Sequence, residues 1–213
     1  MSSNKYGYVA DTGPEQSFGN NPGIFDPADI NNLIADNKWT NYGQLELIET
    51  QTVSGVSAVD FTNLGDYNVH FLTINNYQPA TDNTSMLIRL SDDGGSTYES
   101  SNYQWAHLQM YAPTEVYEYK STSATSLEIN RENGNATNES GNAYVYLYNL
   151  GDSTKYSFTT SQSSQATKFS GQYAMQFGSG VYKVASTIDA LRLLSSSGNF
   201  DSTASLYGIK AYE

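Results

Sequence analysis

The sequence contains no cysteine. Without thiols the chain can form neither a disulfide framework nor a thiolate metal site, so its stability must come from buried core area or from oligomerisation. Its 213 residues are enough to bury a sizeable core in one sandwich domain. We therefore predict one main domain that needs no covalent cross-link.

Positive charge is also scarce. The chain has 10 Lys and Arg against 22 Asp and Glu, which gives a formal net charge of −12 at neutral pH. A protein of this sign is repelled by polyanions such as DNA and by anionic bilayers. We predict neither a nucleic-acid partner nor membrane insertion.

Long apolar runs are missing as well. No stretch approaches the roughly 18 residues that a membrane span needs, and the N-terminal segment MSSNKYGYVADTG has no apolar signal region. We expect a soluble protein without a classical secretion signal.

What the sequence does contain is tyrosine, with 18 residues, and many uncharged polar residues, since only 15% of the chain is charged. Tyrosine favours strands, and Ser, Thr, Asn and Gly favour strands or turns over helices. The composition suits a surface binding or assembly protein better than an enzyme. Tyrosines on an exposed face would favour recognition, whereas buried ones would serve ordinary packing.

Residues 1–43 differ from the rest and are predicted to form an extended N-terminal arm. Proline and glycine recur there and prevent regular strand pairing. One short helix is predicted near 27–36, because Asp26 can cap it and Pro27 fits its first turn. Its apolar stripe and the flanking aromatics are the candidate anchoring residues: Phe18, Phe25, Ile30, Leu33, Ile34 and Trp39. The stripe could pack on its own sandwich or on another protein, and the sequence leaves both possibilities open.

Residues 44–213 read as about a dozen short strands separated by turn clusters. This pattern predicts an all-β, antiparallel sandwich of jelly-roll type. In the run AYVYLYN at 143–149, Tyr144, Tyr146 and Tyr148 share one face of the strand, and Val145 and Leu147 share the other.

The segment SDDGGSTY at 91–98 resembles the Asp box, a structural hairpin motif of many β proteins. The resemblance implies that Asp93 accepts backbone hydrogen bonds and that Gly95 permits the turn, a role in structure and not in catalysis. The calcium-loop reading of Asp92 and Asp93 fails, because neither starts a loop with Glu at its twelfth position.

Signals for catalysis are weak. There are only two histidines, His70 and His107, and no nucleophile elbow, zinc-protease, P-loop or dinucleotide motif. We predict no enzyme activity, no cofactor and no metal. Paired carboxylates for polysaccharide hydrolysis remain an alternative, with these strand-adjacent acids as candidates: Asp60, Asp66, Glu115, Glu118 and Asp189.

Carbohydrate binding is a further alternative, because it needs only planar aromatics for stacking and polar groups for the sugar hydroxyls. The densest aromatic stretch makes Tyr103, Trp105 and Tyr117 the candidate glycan contacts. Trp105 could equally lie in the core.

Several segments resemble structural proteins of tailed bacteriophages: SFGNNPGIF at 17–25, LIETQTV at 47–53, YNLGD at 148–152, FGSGVY at 177–182 and the closing segment 188–209. The resemblance implies a virion protein, either a tail or head fibre or a capsid decoration protein, assembled in the host cytoplasm. It also implies partners among other virion proteins, a homo-oligomer such as a trimer, and a sandwich that faces either water or a host surface glycan. On this interpretation the arm attaches the protein to the particle.

Overall fold

The computed structural model describes residues 27–35, 44–112 and 115–210. The chain divides into two units between Gln44 and Leu45. The first unit has one described helix, α1 (Pro27–Ala35), which confirms the predicted helix. The second unit is an antiparallel β-sandwich, which confirms the predicted fold class.

The described part of the sandwich has twelve strands, and every pairing between them is antiparallel. Their bounds are β1 (Leu45–Val56), β2 (Ala58–Phe61), β3 (Val69–Pro79), β4 (Thr84–Ser91), β5 (Tyr103–Tyr111), β6 (Val116–Ala124), β7 (Leu127–Asn133), β8 (Gly141–Tyr148), β9 (Ser157–Ala166), β10 (Tyr173–Tyr182), β11 (Ala190–Ser195) and β12 (Phe200–Ile209).

Eight of these strands pair in a nested order, in which β1 pairs with β12, β2 with β11, β3 with β8 and β4 with β7. They form two four-stranded layers with the orders β1-β12-β3-β8 and β2-β11-β4-β7. Nested pairing of this kind is the jelly roll, so the predicted topology is confirmed.

The other four strands extend one layer only. They add to β8 in the order β9-β10-β5-β6, so the large sheet has eight strands and the small sheet four. The extension therefore reaches beyond the area that the small sheet can cover. It contacts β7, the edge strand of the small sheet.

The core lies between the two sheets and follows the period-two alternation of the strands. In β8, Val145 and Leu147 are fully buried, whereas Tyr144 on the other face is 40% exposed, as the alternation predicts. Phe61 and Leu193 of the small sheet are also fully buried. None of the helices in the described ranges is long and apolar enough to cross a membrane.

Two glutamines of the extension bond to the open edge of β7. Among the named strands β7 pairs only with β4, and its other edge has one isolated bridge, from Asn133 to Thr167. The Gln165 side-chain amide donates to the Arg131 carbonyl oxygen at 3.0 Å, and the Gln176 amide donates to the Ile129 carbonyl oxygen at 2.9 Å. Buried carbonyl groups need such partners, so these side chains complete the edge in place of a strand.

Replacing Gln165 with methionine tests this function of the extension. We expect Gln165→Met to lower the free energy of unfolding by about 1–3 kcal/mol, because the Arg131 carbonyl oxygen loses its buried donor. Chemical denaturation measures the change. Gln162→Met, an exposed position on the same strand, is the matched control and should change the stability much less; an equal effect of the two would contradict the interpretation.

Candidate functional site

The outward side of the large sheet, here called the outer face, is built from rows of residues aligned by strand register. One row crosses all eight strands and consists of Leu47, Tyr207, Phe71, Tyr146, Thr160, Ser179, Ala106 and Lys120. The next row consists of Thr50, Ser205, Thr73, Tyr144, Gln162, Phe177, Leu108 and Glu118. Charge appears in these two rows only on β6, at the edge of the sheet.

Aromatic rings form a contiguous group on the outer face. The Phe71 ring lies 4.8 Å from Tyr146, 6.0 Å from Tyr144 and 6.2 Å from Tyr207, between ring centroids. Tyr146 stacks on Tyr148 at 6.4 Å. Aromatic cross-strand pairs of this kind stabilise a sheet and keep the rings ordered.

Two tyrosine hydroxyls on the outer face have partners within the face itself. The Tyr144 hydroxyl donates to Gln162 Oε1 at 2.6 Å, and the Tyr148 hydroxyl lies 3.2 Å from Thr160 Oγ1. A polar group that already has a hydrogen bond can be covered at lower cost than one bonded only to water.

The side of the face nearer β9 and β10 exposes large apolar side chains. Phe158 and Phe177 are each 45% exposed, Met175 is 50% exposed and Tyr173 is 64% exposed. Apolar side chains clustered on one face are typical of a contact surface. The outer face is the candidate functional site.

No protein-family model, curated protein or solved structure matches this chain.

The turn at 91–98 has the hydrogen bonds that the Asp box implies. Asp93 Oδ1 accepts from the Thr97 amide at 2.8 Å and from the Ser91 hydroxyl at 2.8 Å, and Asp93 Oδ2 accepts from the Thr97 hydroxyl at 2.7 Å. The Thr97 amide, then the Thr97 and Ser91 hydroxyls, lower the pKa of Asp93. Gly95 has a φ of +83°, which favours glycine. Asp93 and Gly95 therefore have the structural role expected.

The predicted glycan contacts do not form one exposed platform. Tyr103 is fully buried, and its hydroxyl accepts a hydrogen bond from the Leu90 amide at 2.8 Å, so its selection as a glycan contact is wrong. Trp105 is half-buried and stacks on His107 at 4.7 Å. Tyr117 is 41% exposed on the edge strand β6. Strand register places all three on the inner side of the extension, opposite the outer face.

A buried polar cluster lies beneath the extension. His107 Nε2 is 3.5 Å from Glu128 Oε1, and Arg131 Nε is 3.3 Å from the same oxygen. Burial raises the pKa of Glu128 to about 7, although the Arg131 charge opposes the shift. Burial, followed by the Arg131 charge, lowers the pKa of His107 to about 4. Neutral groups are therefore favoured here, as expected for a dry environment.

A substrate has little access to the cluster, because the His107 and Glu128 side chains are only 3% and 11% exposed. Beside it, Glu132 accepts a hydrogen bond from the Tyr111 hydroxyl and pairs with Lys168 at 2.8 Å. In the described ranges, no group of three His, Asp or Glu side chains could hold a metal ion.

Two of the acids considered for hydrolysis form an ion pair or a hydrogen bond within the chain, and the other three are exposed. Asp60 forms a two-pronged ion pair with Arg192, at 2.6 Å for each contact, and Arg192 lies 4.0 Å above the Tyr98 ring. Asp189 Oδ1 accepts from the Gly94 amide at 2.9 Å. Asp66, Glu115 and Glu118 are exposed.

The candidate anchoring residues lie partly within the described chain. On α1, Leu33 is buried, Ile30 is half-buried and Ile34 is 49% exposed. Phe18, Phe25 and Trp39 lie outside the described residues.

The sequence reasoning did not identify the outer face as a site. Its signal was present in β8, β9 and β10, whose alternate outward positions are aromatic, aliphatic, hydroxyl, amide or thioether residues without charge. Joining those positions into one surface requires the strand order, which the sequence does not show.

Replacing Glu128 with glutamine tests the buried cluster. Folding raises the pKa of Glu128 from 4.5 to about 7, so its protonated form is favoured in the folded state and the free energy of unfolding falls as pH rises between these values. The loss amounts to roughly 3 kcal/mol. We expect Glu128→Gln to lack this loss and to be more stable than the wild type at pH 8, an advantage that disappears below about pH 5.

Denaturant titrations across this pH range measure the difference. Glu118→Gln, at an exposed position of β6, is the control and should follow the wild-type profile. A wild-type protein that gains stability relative to Glu128→Gln as pH rises would refute the expectation.

Proposed function

We propose that the chain is a non-enzymatic structural module of a tailed-bacteriophage virion, in a fibre or on the capsid. Its arm, residues 1–43, attaches it to the particle, and its β-sandwich serves assembly or contact with the host surface. The observation that supports an assembly role is the outer face, a broad aromatic surface whose charges lie at its edge. The quoted phage-like segments support the virion context.

The composition of the chain agrees with this proposal. A net charge of −12 keeps crowded copies soluble through mutual repulsion. The absence of cysteine is compatible with assembly in a reducing cytoplasm. Both histidines are buried, which gives them little access to a substrate.

A carbohydrate-binding receptor module is the second candidate. A groove of about 480 Å³ at one end of the large sheet favours it. The groove is lined by an exposed tyrosine, amides, hydroxyls and thioethers, without any charged side chain, and its lining includes Tyr173, Met175, Ser164, Asn142, Asn138 and Ser140. Its volume and mixed lining suit a neutral saccharide better than a charged ligand.

Substitutions on α1 test attachment by the arm. We expect the double variant Ile30→Ser, Ile34→Ser to lose co-sedimentation with virion particles assembled without this protein, because it removes apolar contact area from the helix. The melting temperature of the sandwich should not change. Asn31→Ser, Asn32→Ser, at two exposed polar positions of the same helix, is the control and should bind normally. Undiminished binding of the isoleucine variant would contradict attachment through α1.

A glycan array tests the second candidate. Carbohydrate binding predicts a signal from a neutral host-surface saccharide, weakened at least about tenfold by Tyr173→Ala through lost ring stacking. Tyr156→Ala is the control, because Tyr156 is 46% exposed and does not line the groove. A blank array with the wild-type protein would remove this candidate.

A further inference from the structure

We propose that the outer face of the large sheet packs against the same face of a second copy of this chain. This inference rests on the proposed function and deepens it, because it names the partner that the sandwich assembles with. It follows from the distribution of charge, the state of the polar groups, the exposed apolar side chains and the size of the face.

In the registered rows of the outer face, charged side chains lie at the edge and not at the centre. The chain carries −12 overall. Nevertheless, the outward positions of β3, β8, β9, β10 and β5 in the registered rows carry no charged side chain, and the charges of Glu118 and Lys120 lie on the edge strand β6. An uncharged centre with charged residues at the rim is the usual anatomy of a protein interface.

Several polar groups on the face already have hydrogen-bond partners within it. The Tyr144 and Tyr148 hydroxyls have cross-strand partners in Gln162 and Thr160. The Thr50 and Ser205 hydroxyls lie 2.8 Å apart and satisfy each other in the same way. Covering these groups therefore leaves fewer unpaired donors than covering water-bonded side chains would.

Exposed apolar side chains supply the driving force. Phe158, Met175 and Phe177 are each 45–50% exposed on adjacent strands, and Leu45 and Leu47 at the β1 end are 49% and 55% exposed. Removal of such surface from water is the main favourable contribution to most protein association.

The face is large enough for a stable pair. Its strands contain eight to twelve residues. At about 4.8 Å between strands and about 3.3 Å per residue, eight such strands present an area on the order of 1,000 Å². A standard interface uses about 800 Å² of each partner.

A second copy is the partner that these features favour. An uncharged, aromatic face selects a partner of the same character, because a charged surface would lose its water without gaining an opposite charge. The same face of another copy meets this requirement, and two sheets of equal twist can pack in the aligned manner of a sandwich.

Salt dependence separates this pairing from docking on a basic partner. Two copies at −12 repel each other, and added salt screens that repulsion while leaving apolar contact intact. We therefore expect self-association of the full-length protein, measured by analytical ultracentrifugation, to strengthen with salt. Association that weakens with salt, or a wild-type protein that stays monomeric at high concentration and high salt, would overturn the inference.

Substitutions locate the contact. Phe177→Glu should weaken self-association by more than about 100-fold without lowering the melting temperature, because it places an unpaired charge in the centre of the covered face. Phe169→Glu is the matched control, since Phe169 is 46% exposed in the turn between β9 and β10, and it should associate like the wild type. Undiminished association of Phe177→Glu would overturn the inference.

Ser179→Glu provides a second variant in case Phe177→Glu does not fold. Ser179 is exposed in the outer-face row between Thr160 and Ala106, and its replacement removes no apolar contact within the chain. It should also give a monomer, and an unchanged oligomer would contradict pairing through this face. Particle binding through α1 is a separate measurement, so a wild-type protein that stays monomeric yet binds particles would overturn the pairing of outer faces and leave the proposed function intact.

Discussion

The pairing of β1 with β12 encloses the rest of the sandwich, because the other pairs of the jelly roll are nested inside it. The first and last strands of the described sandwich must therefore meet before the large sheet is complete. Pairings between residues so distant in sequence cost loop-closure entropy that local contacts do not. Once formed, they bring the two layers face to face, and the alternation of each strand then fixes which side chains enter the core.

The jelly-roll sandwich must also accommodate the four-stranded extension. Strands β9, β10, β5 and β6 widen one layer and leave the other unchanged, so part of the large sheet lies against β7 and its surroundings. Polar side chains fill the space between the extension and β7. Gln165 and Gln176 complete the β7 edge, and Glu128, His107 and Arg131 lie close together in a setting that favours neutral carboxyl and imidazole groups.

The same widening produces the outer face. Four additional strands roughly double the width of the layer and continue the aromatic group of β3 and β8 into the Phe158, Phe177 and Met175 region. A binding or assembly role follows more naturally from this surface than from the interior, where the His107 and Glu128 side chains are only 3% and 11% exposed. The proposed pairing of two outer faces would bury this surface.

The amino-acid sequence alone was enough to predict the fold class, the helix near 27–36, the Asp93 turn and the facing of Tyr144, Tyr146 and Tyr148. Each of these depends on local rules: capping, turn chemistry or period-two alternation. Only the tertiary structure decided that Tyr103 is buried while Phe177 is exposed, and that Glu128 meets His107. The physical reason is that alternation assigns a residue to one of two faces but does not say which face is covered. That depends on the order of strands from distant parts of the chain, and here on an extension that widens one layer only.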